Sequence, residues 1–479
     1  MASDRVRARA RRAGSGEVAR ETEKGAAAGG PAPGRSLGPR MLPAWTGLRG
    51  LAVAAILLYG YFPSAFRGGW LAFSIFLFLA GYLVTQALLT AYRQTQTLPL
   101  AAFWIRRLVR VYPSLIALLT VSSAVGLALA HPLLYCYPLA SVSALLGFNN
   151  IWQISAGFPA FEIDGVYNIF RHLYFLSILI QLFILWPLGL RLLALGIPSA
   201  LPPKRKLRQL RYRVFLLAGG LFVFSLLYSA VRAGLGTSPD RLFYGTDTQA
   251  YPFMAGALVA GLAPQRRLQK LRLPFSGLVQ EILFGVPFLL MLLAFIFVSG
   301  TERLSYILLQ PLFCLLLIFW VPLLAVSSSS LSRIFSNRIL KALGERAYAI
   351  YLWHFAIREA LRAIPATQRI PSLLSLLLQI LLLLLLTEST HHFLETDFRA
   401  TLRNVLHTFR AAPANIFDKG VLRAMGVALA VCAVLASWVA AMIISPQVDV
   451  KSATPPAVLS ESGNVKTAVL PAPSSGARP

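Results

Sequence analysis

The chain reads as an all-α protein: a polytopic membrane bundle of about ten core transmembrane helices plus one additional C-terminal span. Three observations predict this. Hydrophobic residues fill 57% of the 479 positions and charged residues only 13%, a composition that ordinary water-facing surfaces do not have. Apolar runs of the roughly 20 residues needed to cross hydrocarbon recur along the chain. The net charge of +27 sits in short Lys/Arg runs between those stretches. That is the distribution of the positive-inside rule rather than the compact basic face of a nucleic-acid binder. A lipid bilayer is the expected partner and nucleic acid is not.

Residues 1–41 are rich in Arg, Ala, Gly and Pro without apolar periodicity, and predict a disordered basic cytoplasmic tail. With no apolar core near the start followed by a small-residue cleavage site, the first span is expected to be a retained anchor. Spans are predicted near 45–62, 70–91, 114–130, 173–193, 214–232, 250–263, 276–299, 305–326, 346–364, 372–392 and 424–445. With the N-terminus inside, the basic linkers 105–110, 204–213, 265–272, 333–346 and 399–423 all fall on the cytoplasmic side. The apolar run 133–151 would invert every later linker if it crossed, so it reads as a helix that dips into the outer face.

The expected organisation is a membrane domain over 42–399, a basic cytoplasmic linker over 400–423, a final span over 424–445 and a flexible extracellular tail over 446–479. No repeat of helical-hairpin length favours a transporter. Cys136, Cys314 and Cys432 stand far apart in apolar sequence and read as packing residues. His391, His392 and Glu395 lack a further convergent ligand, so no metal site is expected.

Polar groups inside a bilayer are costly and therefore informative. Arg49 near the start of the first span is followed by Arg106, Arg107 and Arg110 in FWIRRLVRVYP. Guanidinium forks match phosphate oxygens, and the alternative is an interfacial helix whose arginines snorkel to headgroups. In HLYFLSILIQLFILWPL, His172, Tyr174, Ser177 and Gln181 recur at helical spacing, with His172 a base or a capped interfacial residue. Asp247 in RLFYGTDTQAYPFMAGALVAG stands where a span begins, as an N-cap or a ligand for a polar acceptor. Tyr348, Tyr351 and His354 in ALGERAYAIYLWHFAI fall three residues apart on one helix face, lining a site or bonding helices together.

These motifs, with WTGLRG and the turn PSAFRGG, resemble in order those of the bacterial membrane O-acyltransferases of acyltransferase family 3, over most of Leu42 to Arg399. The eleventh span and external tail resemble those of the peptidoglycan O-acetyltransferase branch, where that position leads to an extracellular SGNH hydrolase-like domain; none is expected in the sequence after Ser445. The resemblance implies an acyl-CoA donor, acetyl-CoA above all, handled by Arg49, Arg106, Arg107 and Arg110. It places Tyr174, Ser177, Gln181, Asp247, Tyr348 and Tyr351 on the acceptor side, and no resident cofactor is implied. The bacterial cytoplasmic membrane, with the N-terminus cytoplasmic and the C-terminus extracellular, is the implied location.

The departures from the family pattern bear on the chemistry. Gly60 stands where the family has its first-span histidine, Ser74 where it has an aspartate, Ala80 where it has a serine, Leu179 near a carboxylate position and Gln249 where it has an arginine. Acyl transfer needs a base for the attacking hydroxyl and a stabiliser for the oxyanion. Gly60 cannot accept a proton, and Tyr59 and Tyr61 are expected to point about 100° to either side. Loss of ionisable groups in four motifs reads as neutralisation of one polar channel. Two functions follow: an active O-acyltransferase in which His172 or His354 moves the proton, or a catalytically degenerate homologue that scaffolds or regulates an active enzyme or envelope machinery. A transporter of a lipid-linked or acylated intermediate is a third expectation.

Overall fold

In the computed structural model the described residues are 41–129, 136–161, 168–270, 277–325 and 330–397. The predicted tail, linker, final span and C-terminal segment, and Cys432, lie outside them. Ten helices overlap the ten segments predicted as core spans: α1 Pro43–Tyr61, α2 Ala72–Thr95, α3 Leu100–Leu129, α4 Tyr174–Leu195, α5 Pro203–Gly234, α6 Tyr251–Leu262, α7 Gly277–Phe297, α8 Gln310–Leu323, α9 Ala347–Ala363 and α10 Ser372–Ser389. No strand occurs among the described residues.

With their flanking turns, α2, α3, α4, α5, α7, α8 and α10 are the seven helices long and apolar enough to cross a membrane. Their outward faces carry bare leucines, such as Leu381, Leu384 and Leu385 on α10, which is stable only with lipid in place of water. The chain is a multi-pass membrane protein. The other three helices form the inside: most residues of α1, α6 and α9 are buried.

Three expectations need correction. The third span is predicted from 114, whereas α3 begins at Leu100 and takes in the whole arginine motif. Likewise α5 begins at Pro203 and absorbs the basic run 204–213. Arg, Lys, Gln and Leu are strong helix formers, so the change from apolar to basic sequence ends the hydrophobic segment without ending the helix. The span predicted at 250–263 is α6, a helix of 12 residues, about 18 Å long at 1.5 Å per residue and too short to cross about 30 Å of hydrocarbon unaided. Within the run 133–151, residues 133–135 are not described, and most of the rest lies in two short helices, Tyr137–Leu145 and Asn149–Ala156.

Small residues let the inner helices touch. A Cβ on Gly81 of α2 would stand 1.9 Å from the Phe253 carbonyl oxygen, and one on Gly256 of α6 would stand 1.9 Å from that of Phe78. The two backbones therefore lie in direct contact, as small-residue packing in membranes allows. In the same way Gly47 and Gly50 bring α1 against Phe335 and Leu340. Cys314 is fully buried and Cys136 partly so, and neither forms a disulfide.

Candidate functional site

Two cavities back onto one another inside the bundle. The first, of about 170 Å³, is lined by Arg49, Arg107, Arg110 and Tyr348 and by apolar walls that include Phe76, Ala80, Leu179 and Phe183. The second, of about 70 Å³, is lined by Tyr59, Gly60, Arg171, His172, Tyr174, Tyr244, His354 and Arg358. Between them stands an aromatic partition. The Phe73 ring lies 4.7 Å from Phe175 and 6.3 Å from Tyr351, and Phe175 lies 5.7 Å from Tyr351, centroid to centroid.

The arginine chamber collects residues from five helices, α1, α2, α3, α4 and α9. Arg49 on α1 and Arg107 and Arg110 on α3 reach one space, whereas Arg106 points away and is exposed. The Arg107 guanidinium lies over the Phe183 ring at 4.7 Å and near Phe103 at 5.5 Å, contacts that hold a cation at an apolar wall. Tyr348 donates to the Val111 carbonyl at 2.8 Å and so ties α9 to α3.

The histidine chamber is set by α9 and the turn before α4. His172 Nε2 lies 3.0 Å from the Leu352 carbonyl oxygen. A carbonyl only accepts, so Nε2 carries the hydrogen and Nδ1 of the neutral ring is an acceptor. That Nδ1 is buried and has no hydrogen-bond partner among the described residues. His354 uses the opposite nitrogen: its Nδ1 lies 2.8 Å from the Tyr351 carbonyl and 3.2 Å from that of Ile350, which leaves Nε2 as the acceptor. The rings are 5.8 Å apart. A Cβ on Gly60 would meet only the His354 Cδ2, at 3.8 Å, so the edge of His354 faces the space a larger residue at 60 would fill. Tyr174 Oη is also buried without a partner.

The stripe Tyr348, Tyr351, His354 thus runs through both chambers: the first in the arginine chamber, the second in the partition, the third in the histidine chamber. Tyr351 donates to the His172 carbonyl at 2.5 Å and fixes that turn. Other expected site residues take structural places. Ser177 accepts from the Asn149 amide at 3.0 Å, and Gln181 bonds Gly147, Asn150 and Thr246; both pin the short helix 149–156 to α4 and line neither cavity. Asp247 is not an N-cap, since Gly245 and Ala250 hold those positions. It forms a two-pronged pair with Arg241, at 3.0 and 2.7 Å. Burial works to raise the Asp247 carboxyl pKa, and the Arg241 bonds outweigh it and hold it below the ordinary range.

The four neutral departures do not line one channel. Gly60 borders the histidine chamber and Leu179 the arginine chamber. Ser74 and Gln249 meet elsewhere, through Gln310, whose Nε2 lies 3.3 Å from Ser74 Oγ and 2.8 Å from Gln249 Oε1. Gln249 Nε2 in turn donates to the Leu242 carbonyl at 3.0 Å. All three side chains are buried. Positions 74 and 249, where the resemblance leads one to expect an aspartate and an arginine, are therefore neighbours here, joined by the amide of Gln310.

Sequence reasoning passed over several residues. Arg171 and Arg358 both line the histidine chamber and lie over the Phe355 ring, at 5.1 and 4.9 Å. Arg358 sits one helical turn after His354, a spacing that could have marked it. Tyr59 lines the chamber beside Gly60, and Tyr61 lines a groove on its other side. Phe73, Phe175 and Gln310 carry no sequence signal that sets them apart from core residues.

Comparison with known proteins agrees with this arrangement. A family model described as "Acyltransferase domain" matches residues 42–387. The chain is 28% identical over 360 residues to a Staphylococcus aureus (strain COL) protein named "Putative O-acetyltransferase", covering 75% of this chain and 58% of that one. It is 28% identical over 360 residues to the peptidoglycan O-acetyltransferase OatA of Listeria monocytogenes, covering 75% and 56%. It is 28% identical over 364 residues to "Putative peptidoglycan O-acetyltransferase YrhL" of Bacillus subtilis (strain 168), covering 75% and 55%. The chain thus spans a little over half the length of these relatives. No solved structure matches significantly. With the family model matched across all ten main helices but the end of the last, the chain belongs to acyltransferase family 3.

Proposed function

We propose that this protein is an active O-acyltransferase of the bacterial cytoplasmic membrane. It takes an acyl group, acetyl in the simplest case, from cytoplasmic acyl-CoA and passes it to a hydroxyl of an extracellular cell-envelope glycan such as peptidoglycan. The reading is supported by the names of the relatives and by one observation above all: two imidazoles with unprotonated nitrogens border the space at Gly60.

In this scheme Arg49, Arg107 and Arg110 hold the donor phosphates, because guanidinium forks pair with phosphate oxygens. The thioester reaches the partition of Phe73, Phe175 and Tyr351. The acceptor hydroxyl attacks the acyl carbon, forming a C–O bond and breaking the C–S bond. Its proton passes to His354 Nε2 or His172 Nδ1 and is returned to the leaving thiolate. Tyr174 Oη, with no partner in the fold, donates to the developing oxyanion. On this reading His354 does from α9 what the resemblance implies for a first-span histidine on α1.

The test is donor consumption by the purified full chain with radiolabelled acetyl-CoA and a glycan acceptor. Turnover that falls when His354 is replaced by alanine is the expected result. Persistent silence with a matched acceptor would overturn the reading in favour of a scaffold, which a co-purifying acyltransferase would then reveal.

A further inference from the structure

The histidine chamber has a second opening. Gly60 and Arg358 line it on one side and also line a wider groove of about 640 Å³, formed with Tyr61, Phe62, Pro63, Arg362, Ser372, Leu373, Leu376 and Gln379. The groove runs between the end of α1, the end of α9 and the start of α10. α10 is the most bilayer-exposed of the seven long apolar helices, with only 17% of its apolar window buried, so one wall of the groove is set against lipid.

Three features describe its occupant. Leu373 and Leu376 offer an apolar wall where α10 begins. Arg358 and Arg362, in the last two turns of α9, bring two guanidiniums against one carboxylate, Glu359, at 3.1 and 3.7 Å, and guanidinium forks match phosphate oxygens. Tyr61 Oη and Gln379 Oε1 are buried without hydrogen-bond partners among the described residues, which provides for a polar ligand. The threshold between groove and chamber is Gly60, whose carbonyl accepts from Arg358 at 2.5 Å and whose missing side chain leaves open space short of His354.

We infer that this groove is a lateral portal for a membrane-anchored acceptor: a lipid with a phosphate-linked sugar, its tail along α10, its phosphate at Arg358 and Arg362, and its hydroxyl passed over Gly60 to the imidazoles. On this inference the glycine is a doorway as well as a missing base. The word acceptor rests on the acyl-transfer reading; occupancy of the groove does not.

The test uses the full chain in phosphatidylcholine nanodiscs with a photoactivatable polyprenyl phosphate, the crosslinked peptides being mapped by mass spectrometry. Crosslinks should concentrate on 358–363 and 372–379, yield to excess polyprenyl phosphate, and resist an equal charge of phosphatidylglycerol. Arg362→Gln should cut labelling about tenfold, the scale of one lost charge-assisted hydrogen bond. Leu376→Trp, which fills the groove without touching a charge, should cut it too, with melting curves confirming that both variants fold. Labelling spread around the bundle, equal competition by phosphatidylglycerol, or indifference to both variants would overturn the portal. Donor turnover without groove labelling would also overturn it while leaving O-acyl transfer standing, and groove labelling without turnover would do the reverse.

Discussion

Two regions of the bundle hold the neutral residues that read, in the sequence, as departures from the family pattern, and they are built differently. At Ser74 and Gln249 the departure is filled: Gln310 bridges the two positions, and each replaced group has a hydrogen-bond partner. At Gly60 nothing fills the space, and unpartnered polar atoms of His172 and Tyr174 border the cavity instead. The bridge is made by Gln310 Nε2 alone, and Gln310 Oε1 is buried without a hydrogen-bond partner among the described residues, so the first region is packed shut by side chains rather than left as a cavity. Buried polar groups without partners call for an explanation, and on the proposed function those of the second region meet what enters the cavity. Loss of charge in a membrane protein is therefore not one event with one meaning.

The sharpest way to break this comparison is to charge the filled region. Ser74→Asp alone places an unpaired carboxylate among buried amides and should cost about 3–5 kcal/mol, read as a large drop in the melting transition. Adding Gln249→Arg should recover most of it. If Ser74→Asp left stability intact and raised acyl transfer, Ser74 would belong to the chemistry. Next comes Tyr174→Phe. Its hydroxyl has no partner in the fold, so stability should hold while kcat falls by about 10²-fold, the cost of one oxyanion donor; an unchanged kcat would remove that role.

Smaller effects separate the two chambers. Arg110→Gln should raise the KM for acyl-CoA about tenfold, as expected for one charge-assisted hydrogen bond, with little change in kcat or in the acceptor KM. An equal loss in the acceptor KM would mean that the chambers are not distinct. The least expected effect is at Asp247, whose side chain is 37% exposed. After discounting for solvent screening, Asp247→Asn should cost less than about 1 kcal/mol. Because the folded pKa is depressed, the pair's contribution is present above the unfolded carboxyl pKa and is lost as pH falls through the folded one. The Asn variant should therefore show a flatter acid limb in a stability-versus-pH series.

Much of the bundle was legible in the sequence because hydrocarbon imposes a length and a polarity on every crossing. Each of the ten predicted segments overlaps a helix, and seven of those helices are long and apolar enough to cross. Their ends were less legible: at α3 and α5 basic residues continue the helix past the apolar segment, since charge changes the solvent a residue wants and not its backbone preference. The site was legible as motifs and not as geometry. Arg49, Arg107 and Arg110 converge as expected, yet Ser177 and Gln181, on the same helix as Tyr174, turn to a structural neighbour. Helical spacing gives a face but not what lies opposite it. Gln310 could not be foreseen as the bridge between Ser74 and Gln249, because that contact joins residues 236 positions apart.

The central claim is that the chamber left open at Gly60 still carries proton transfer through His172 and His354. The direct measurement is the rate of radiolabelled acetyl transfer by the full chain in vesicles, for the parent and for the His172→Ala, His354→Ala double variant. A parent that turns over and a double variant slower by about 10²- to 10⁴-fold, the worth of a general base, is the predicted result. Equal rates in the two proteins, or no transfer by the parent, would contradict it.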